Sequence, residues 1–193
     1  MYRVILLALL ALTGCSASEP VVKTYLLPTN DNDQLVTYAN KSQPLVIVRP
    51  VEVSAHLGGT GLVYQVSETE VVQAQQNLWA ENLSMQLTRL ITTDLRQKQS
   101  RYWFDELTPA ISSVDTPKLQ VRFTEFNGHY TGLAKLKGQW LVINKSGDVV
   151  SRQPFFIQVP LVESGYDAQV RALSEGVDRL TGQMSQYLGQ LTL

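Results

Sequence analysis

Two scarcities remove chemistry before any pattern is considered: the chain of 193 residues has one cysteine and two histidines. The single cysteine, Cys15, can form no disulfide within the chain, so packing has to supply the stability even in an oxidising compartment. His56 and His129 stand alone, with no H-E-x-x-H, C-x-x-C or G-x-S-x-G spacing and no nucleophile beside a base. The expectation is a protein without catalytic residues, metal or cofactor. Charge is sparse as well. Acidic and basic residues make up 17% of the chain and the net charge is −1, which argues against a nucleic-acid binder with its required basic patch. The carboxylates of Asp105-Glu106 and of Glu68 and Glu70 read as solvated surface. No apolar run approaches the roughly 20 residues that cross a bilayer. Of the aromatics, Trp79, Trp103, Trp140, Phe155 and Phe156 read as core, with the lining of a lipid pocket as the other reading.

What is present begins with Arg3, the apolar run Val4 to Leu12, and Leu12-Thr13-Gly14-Cys15. A basic start, a short apolar segment and small residues before a cut site make a secretory signal. Leu-x-Gly-Cys is the pattern of a bacterial lipoprotein box, in which the thiol takes lipid before cleavage. Cys15 then becomes the first mature residue, and several acyl chains at about 0.8 kcal/mol per buried methylene hold it permanently on a membrane. Ser16 and Ala17 lack the aspartate that retains lipoproteins in an inner membrane, which favours the periplasmic face of an outer membrane. The domain reading is therefore a signal peptide at 1–14, a lipidated tether at 15–22 and a single α+β domain at 23–193.

Within that domain, Thr24 to Leu27 reads as a short strand stopped by Pro28, and Thr29 to Pro44 as a turn-rich loop. Leu45 to Val53 is β-branched and bends at Pro50. His56-Leu57-Gly58-Gly59-Thr60-Gly61 reads as a reversal; Gly-Gly-Thr-Gly lacks the Lys-Ser/Thr of a phosphate loop. Leu62 to Val66 returns as a strand. The spacing of Leu83, Leu87, Leu90, Ile91 and Leu95 predicts a helix over Asn77–Lys98, capped by Asn77, with Glu81, Gln86, Arg89 and Arg96 in water. Arg101 to Phe104 enters the core as a strand. Lys118 to Phe123 alternates, and the parity slip at Phe126 predicts a bulge before a turn at Asn127-Gly128-His129-Tyr130. Leu133 to Ile143 alternates again and pairs, through the turn at Asn144 to Asp148, with Val149 to Val159, interrupted at Pro154. A second helix carries Val170, Leu173, Val177, Leu180, Met184, Tyr187 and Leu191 at steps of three and four, with Ser164-x-x-Asp167 as a cap. Together these predict a two-layer α+β sandwich, a mainly antiparallel sheet with two helices on one face.

Several stretches together resemble the PqiC (YmbA) family, auxiliary lipoproteins of ABC-type or MCE-type transport systems: Gly61 to Gln65, Asn77 to Leu83, Thr124 to Gly132, Gly138 to Leu141 and Gly165-Tyr166-Asp167. The resemblance covers nearly the whole mature chain. It implies an outer-membrane lipoprotein, not an enzyme, that works with a periplasm-spanning PqiB-like MCE protein and, indirectly, a PqiA-like inner-membrane protein in lipid transport or envelope integrity. The other readings are a lipoprotein holding lipid in a cavity and a tethered hydrolase. An MCE tube has rotational symmetry, so a ring of copies would match it. Leu57, Gly58 and Gly59 in one turn and His129 and Tyr130 in another are the candidate partner contacts, since glycine-rich turns with an apolar or aromatic residue are exposed and adhesive.

Overall fold

The computed structural model describes residues 21–29, 43–109 and 115–193, and the leader and Cys15 lie outside them. Among the described residues nine strands and two helices follow in the order β1 Lys23–Tyr25, β2 Leu45–Val48, β3 Glu52–Val53, β4 Gly61–Gln65, β5 Val71–Trp79, α1 Leu83–Lys98, β6 Trp103–Glu106, β7 Lys118–His129, β8 Leu133–Ile143, β9 Val149–Pro160 and α2 Tyr166–Leu188. A 3-10 turn, Ala55–Leu57, precedes β4.

All nine strands join one mixed sheet built around β7. β8 pairs with β7 along its whole length, Lys118 opposite Ile143 and His129 opposite Leu133, and β9 pairs with β8. On the other edge of β7 three short strands follow one another in the same direction as β7: Val48 beside Leu119, Val53 beside Phe123, and Gln65 beside His129. β6 extends the sheet beyond β2, and β5 and β1 extend it beyond β4. Five of the eight pairings are thus parallel, which corrects the mainly antiparallel sheet expected from the hairpins. Local turns announce antiparallel neighbours, whereas parallel neighbours need long crossovers, here including α1, that no local pattern reveals.

Pro50 does not bend a single strand; it separates β2 from β3. The ladder to β7 continues on both sides through Arg49 N–H to Leu119 O (2.9 Å) and Ser54 N–H to Phe123 O (3.0 Å). Between them, the Val51 N–H turns away to the hydroxyl of Thr88 on α1, 2.9 Å distant. Pro154 leaves β9 uninterrupted opposite Gln139, because β9 is an edge strand and a proline there removes no ladder bond.

The first helix begins six residues later than its apolar spacing suggested. Asn77 to Trp79 belong to β5, and the cap is Asn82, whose side-chain Oδ1 accepts from the Met85 N–H at 3.3 Å. Gln86, expected in water, is buried and pins the segment after β1, accepting from Leu27 N–H at 2.9 Å. In α2 the predicted seam holds from Val170 to Met184, with Val170, Leu173, Val177, Leu180 and Met184 all buried, while Tyr187 is half-buried and Leu191 lies beyond the helix end at Leu188. The Ser164-x-x-Asp167 cap does not form; Gly165 occupies the cap position and Asp167 pairs with Arg171. Gly176 is buried against β8, where a Cβ would lie 2.4 Å from Leu136 Cδ1, so the helix approaches the sheet more closely than any side chain allows. Beneath it an aromatic series runs from Trp79 to Phe126 (6.3 Å), Phe123 (5.3 Å) and Phe155 (5.1 Å). Phe156 departs from the expected core set, with 56% of its surface exposed on the far face.

Between the helices lies one polar node. The Thr181 hydroxyl donates to Asp94 Oδ2 at 2.8 Å and accepts from Lys98 Nζ at 2.7 Å, and Lys98 also reaches Asp178 Oδ1 at 2.7 Å. Burial pushes the Asp94 carboxyl above its usual range, opposed by Thr181 and Lys98. Lys98→Met strands this acid and should cost about 3 kcal/mol at pH 7. A carboxyl with a raised folded pKa contributes stability that is full below its unfolded value of 3.8 and lost as pH rises through the folded value. Removing Lys98 raises that value further, so the deficit should narrow between pH 7 and pH 5. Urea melts at the two pH values check this, and equal deficits would contradict it.

Candidate functional site

Where β7 ends, its backbone leaves little room. Gly128 pairs with Tyr64 on β4, and a Cβ on it would lie 2.6 Å from both the Tyr64 ring and Gln169 Oε1 of α2. Glycine lets strand, ring and helix meet there. The Tyr64 hydroxyl then donates to the His129 carbonyl at 2.9 Å. Gln169 is buried, donates through Nε2 to Val63 O at 2.9 Å, and leaves Oε1 without a hydrogen-bond donor.

His129 is also buried, at 5% exposure, so its ring is a strut and no surface contact. Its Nε2 stands 2.9 Å from Lys135 Nζ and its Nδ1 stands 2.7 Å from Thr131 Oγ1. The Thr131 N–H also meets Nδ1, at 3.2 Å, so donors face both ring nitrogens and oppose a second ring proton. Burial, then the Lys135 charge, push the His129 pKa down, with Glu125 opposing. Tyr130 stacks on this ring at 4.3 Å and keeps 45% of its surface exposed.

The chain turns at Gly132, with φ of 78°, and β9 returns so that Leu161 N–H donates to Gly132 O at 2.9 Å. Gly165, with φ of 111°, then starts α2. These pieces enclose a cleft of about 570 Å³ lined by Tyr64, Tyr130, Leu161, Gly165, Tyr166 and Gln169, with Glu163 and Ser164 on its margin. Its chemistry is aromatic and hydrogen-bonding: three phenol rings beside Leu161 suit the docking of an amphipathic chain segment, and nothing in the lining pairs a nucleophile with a base. Among the described residues no group of three or more His, Cys, Asp or Glu could hold a metal ion.

Of the residues named from sequence, Tyr130 lies in the cleft and His129 supports it from beneath. The other turn lies at the opposite end of β4, where Gly61 pairs with Leu78. There Leu57 is 1% exposed and belongs to the core, while Gly58 and Gly59 are exposed. Composition marked that loop as a turn but could not show that its 3-10 geometry folds the leucine inward. Tyr64, Tyr166 and Gln169 were not named as contacts; the signal that could have found them is that Tyr64 and Tyr166 fall in stretches carrying the family likeness.

Residues 25–185 match the family described as the ABC-type transport auxiliary lipoprotein component, and the chain belongs to it. Relatives named intermembrane transport lipoprotein PqiC, from Escherichia coli K12 and Shigella flexneri, are each 36% identical over 168 residues, 87% of this chain and 87% of theirs. A crystal structure of an uncharacterised protein superposes with a TM-score of 0.72 at 27% identity, covering 87% of this chain and 99% of that one. A second, from Xanthomonas campestris, has a TM-score of 0.64 at 13% identity over 88% and 92%, a likeness of fold alone. The class is thus that of the transport auxiliary lipoproteins. Three of the stretches that carry the likeness, widely separated in sequence, meet at the cleft through Tyr64, Tyr130 and Tyr166.

His129 gives this site a pH signature. A histidine with a depressed folded pKa contributes stability that is present above its unfolded value of 6.5 and lost as pH falls toward the folded value. Relative to wild type, His129→Gln should therefore lose less stability between pH 7 and pH 5. Denaturant melts across that range check it; parallel profiles would contradict it.

Proposed function

We propose that the chain is an outer-membrane lipoprotein, held by lipid on Cys15 at the periplasmic face, which docks the end of a periplasm-spanning PqiB-like MCE protein. A PqiA-like inner-membrane protein is the indirect partner at the other end. Residues 15–22 serve as the tether and residues 23–193 as one folded domain. The role is contact, and no catalytic step is assigned to it.

The observation that carries this reading is the convergence of Tyr64, Tyr130 and Tyr166 on one open cleft. Tyrosines supply large contact area at low entropic cost and are enriched at interfaces, where one end of the ring is apolar and the other wet. The relatives named for intermembrane transport support the system to which the partner belongs. A ring of copies around the symmetry axis of the tube would present one cleft per protomer. Gly58 and Gly59, remote from the cleft, are a second and smaller candidate contact.

A photo-crosslinking residue placed at Tyr130 or Tyr166 in cells should capture the MCE protein, and one at exposed Gln97 on α1 should not. In a Cys15→Ala background the cleft adducts should fall with loss of outer-membrane fractionation. Capture from Gln97 alone, or from none of the three, would overturn the docking role.

A further inference from the structure

The face of the sheet away from the helices has a composition that the chain as a whole does not. Residues paired across a sheet share a face, so Arg122, Gln139 and Pro154 form one outward row, Lys137 and Phe156 the next, and Leu141 and Arg152 the row on the other side. Lys135, opposite Gln158, and Lys118 complete the basic set. Against these stand Glu125, whose nearest oxygen is 3.5 Å from Lys137, Glu52, beside Arg122 in register but not ion-paired with it, and Asp105, which joins the Lys118 row through Ile47 and pairs with Arg96. Arg122 and Arg152 form no ion pair among the described residues. A chain of net charge −1 has therefore gathered five cations on one sheet face. Among them Phe156 projects with 56% of its surface exposed, which no packing within the domain requires.

We infer that this face rests on anionic phospholipid headgroups, with Arg122, Lys137 and Arg152 as the headgroup contacts and Phe156 inserted at the interface. The inference rests on the membrane-anchored reading above. Long basic side chains spread over an apolar surface while their charges remain in the headgroup layer, and an aromatic ring among them is suited to the same depth. An acidic protein surface would meet the cations but gives no use for the exposed Phe156 ring. The geometry permits it. From Cys15 to Val22 the tether reaches roughly 26 Å at about 3.3 Å per residue. β1, where the tether enters, stands five strand spacings from β9, roughly 24 Å at about 4.8 Å each. The cleft is built partly from α2, which packs on the opposite face, and stays open to a partner.

The test uses the mature lipidated chain in vesicles. Since Cys15 is the only native cysteine and is blocked by lipid, a polarity-sensitive dye on Gln158→Cys, with Gln97→Cys as control, reports one position at a time. In phosphatidylcholine vesicles containing phosphatidylglycerol, the dye at 158 should shift to the blue and the dye at 97 should not. The shift should vanish in pure phosphatidylcholine, in high salt, and in Arg122→Glu/Lys137→Glu/Arg152→Glu. Each basic residue near such a surface is worth roughly fivefold in partitioning, so losing three lowers the face-down population roughly a hundredfold. Protein that floats with the vesicles but shows no shift at 158, or an equal shift at 97 or in neutral lipid, overturns the inference and leaves the anchor standing. A shift that needs an added acidic protein overturns it in favour of that partner, and protein that fails to float overturns the anchor and this inference together.

Discussion

A strand has two edges, and a buried one must find a partner for every backbone donor and acceptor on both. Lys118–His129 meets that requirement in an uneven way: β8 takes one edge entire, while β2, β3 and β4 divide the other among them. Three short segments running in one direction beside one long strand force the chain to leave the sheet and return, and α1 and the connections around it are what that costs. The register shift between Phe123 and Glu125 then lets Phe123 and Phe126 both face the helices, although they are three residues apart. The aromatic series from Trp79 to Phe155 forms across that irregularity, and α2 lies against β8 where Gly176 admits Leu136.

The cleft follows from the same arrangement. It stands where β4 and β7 end side by side, so its tyrosines come from the end of one strand, the turn after another and the first turn of α2. A buried histidine hydrogen-bonded on both nitrogens holds the floor under Tyr130. A rigid base with an exposed aromatic rim presents binding surface at little entropic cost, since the rings need no ordering when a partner arrives. One sheet thus offers two unlike surfaces, an aromatic cleft at the strand ends and a basic face beneath β8 and β9.

Much of this was legible in sequence wherever the determinant is local. β8 is bounded by alternation and by the turn at Asn144 to Asp148, and the α2 seam is a helical period; the strand holds as read and the seam holds as far as Met184. The parity slip at Phe126 signalled the irregularity in β7, although the strand runs on through Gly128 to His129 and does not turn there. β5 was missed because Val71 to Gln76 is exposed and glutamine-rich, and its strand state comes from β4 and β1. For the same reason the helix reading ran back into Asn77. Parallel pairing was illegible because both partners of each pair are remote in the chain. The site was half legible: Tyr130 was found as a turn aromatic, but Leu57 and His129 were read as exposed because a glycine beside a residue says nothing of where its side chain points.

If β7 is the strand on which the rest depends, β2, β3 and β4 should not separate from it while β8 and β9 remain folded. Native-state hydrogen exchange across a denaturant series measures this directly. The amides of Val121, Phe123 and Phe126 should open only with global unfolding, and those of Val48, Val63 and Tyr64 should merge with them at low denaturant. Exchange of the β2 to β4 amides at a separate, lower free energy, with β7 and β8 still protected, would contradict a sheet organised around that one strand and would make the cleft a contact between independently opening parts.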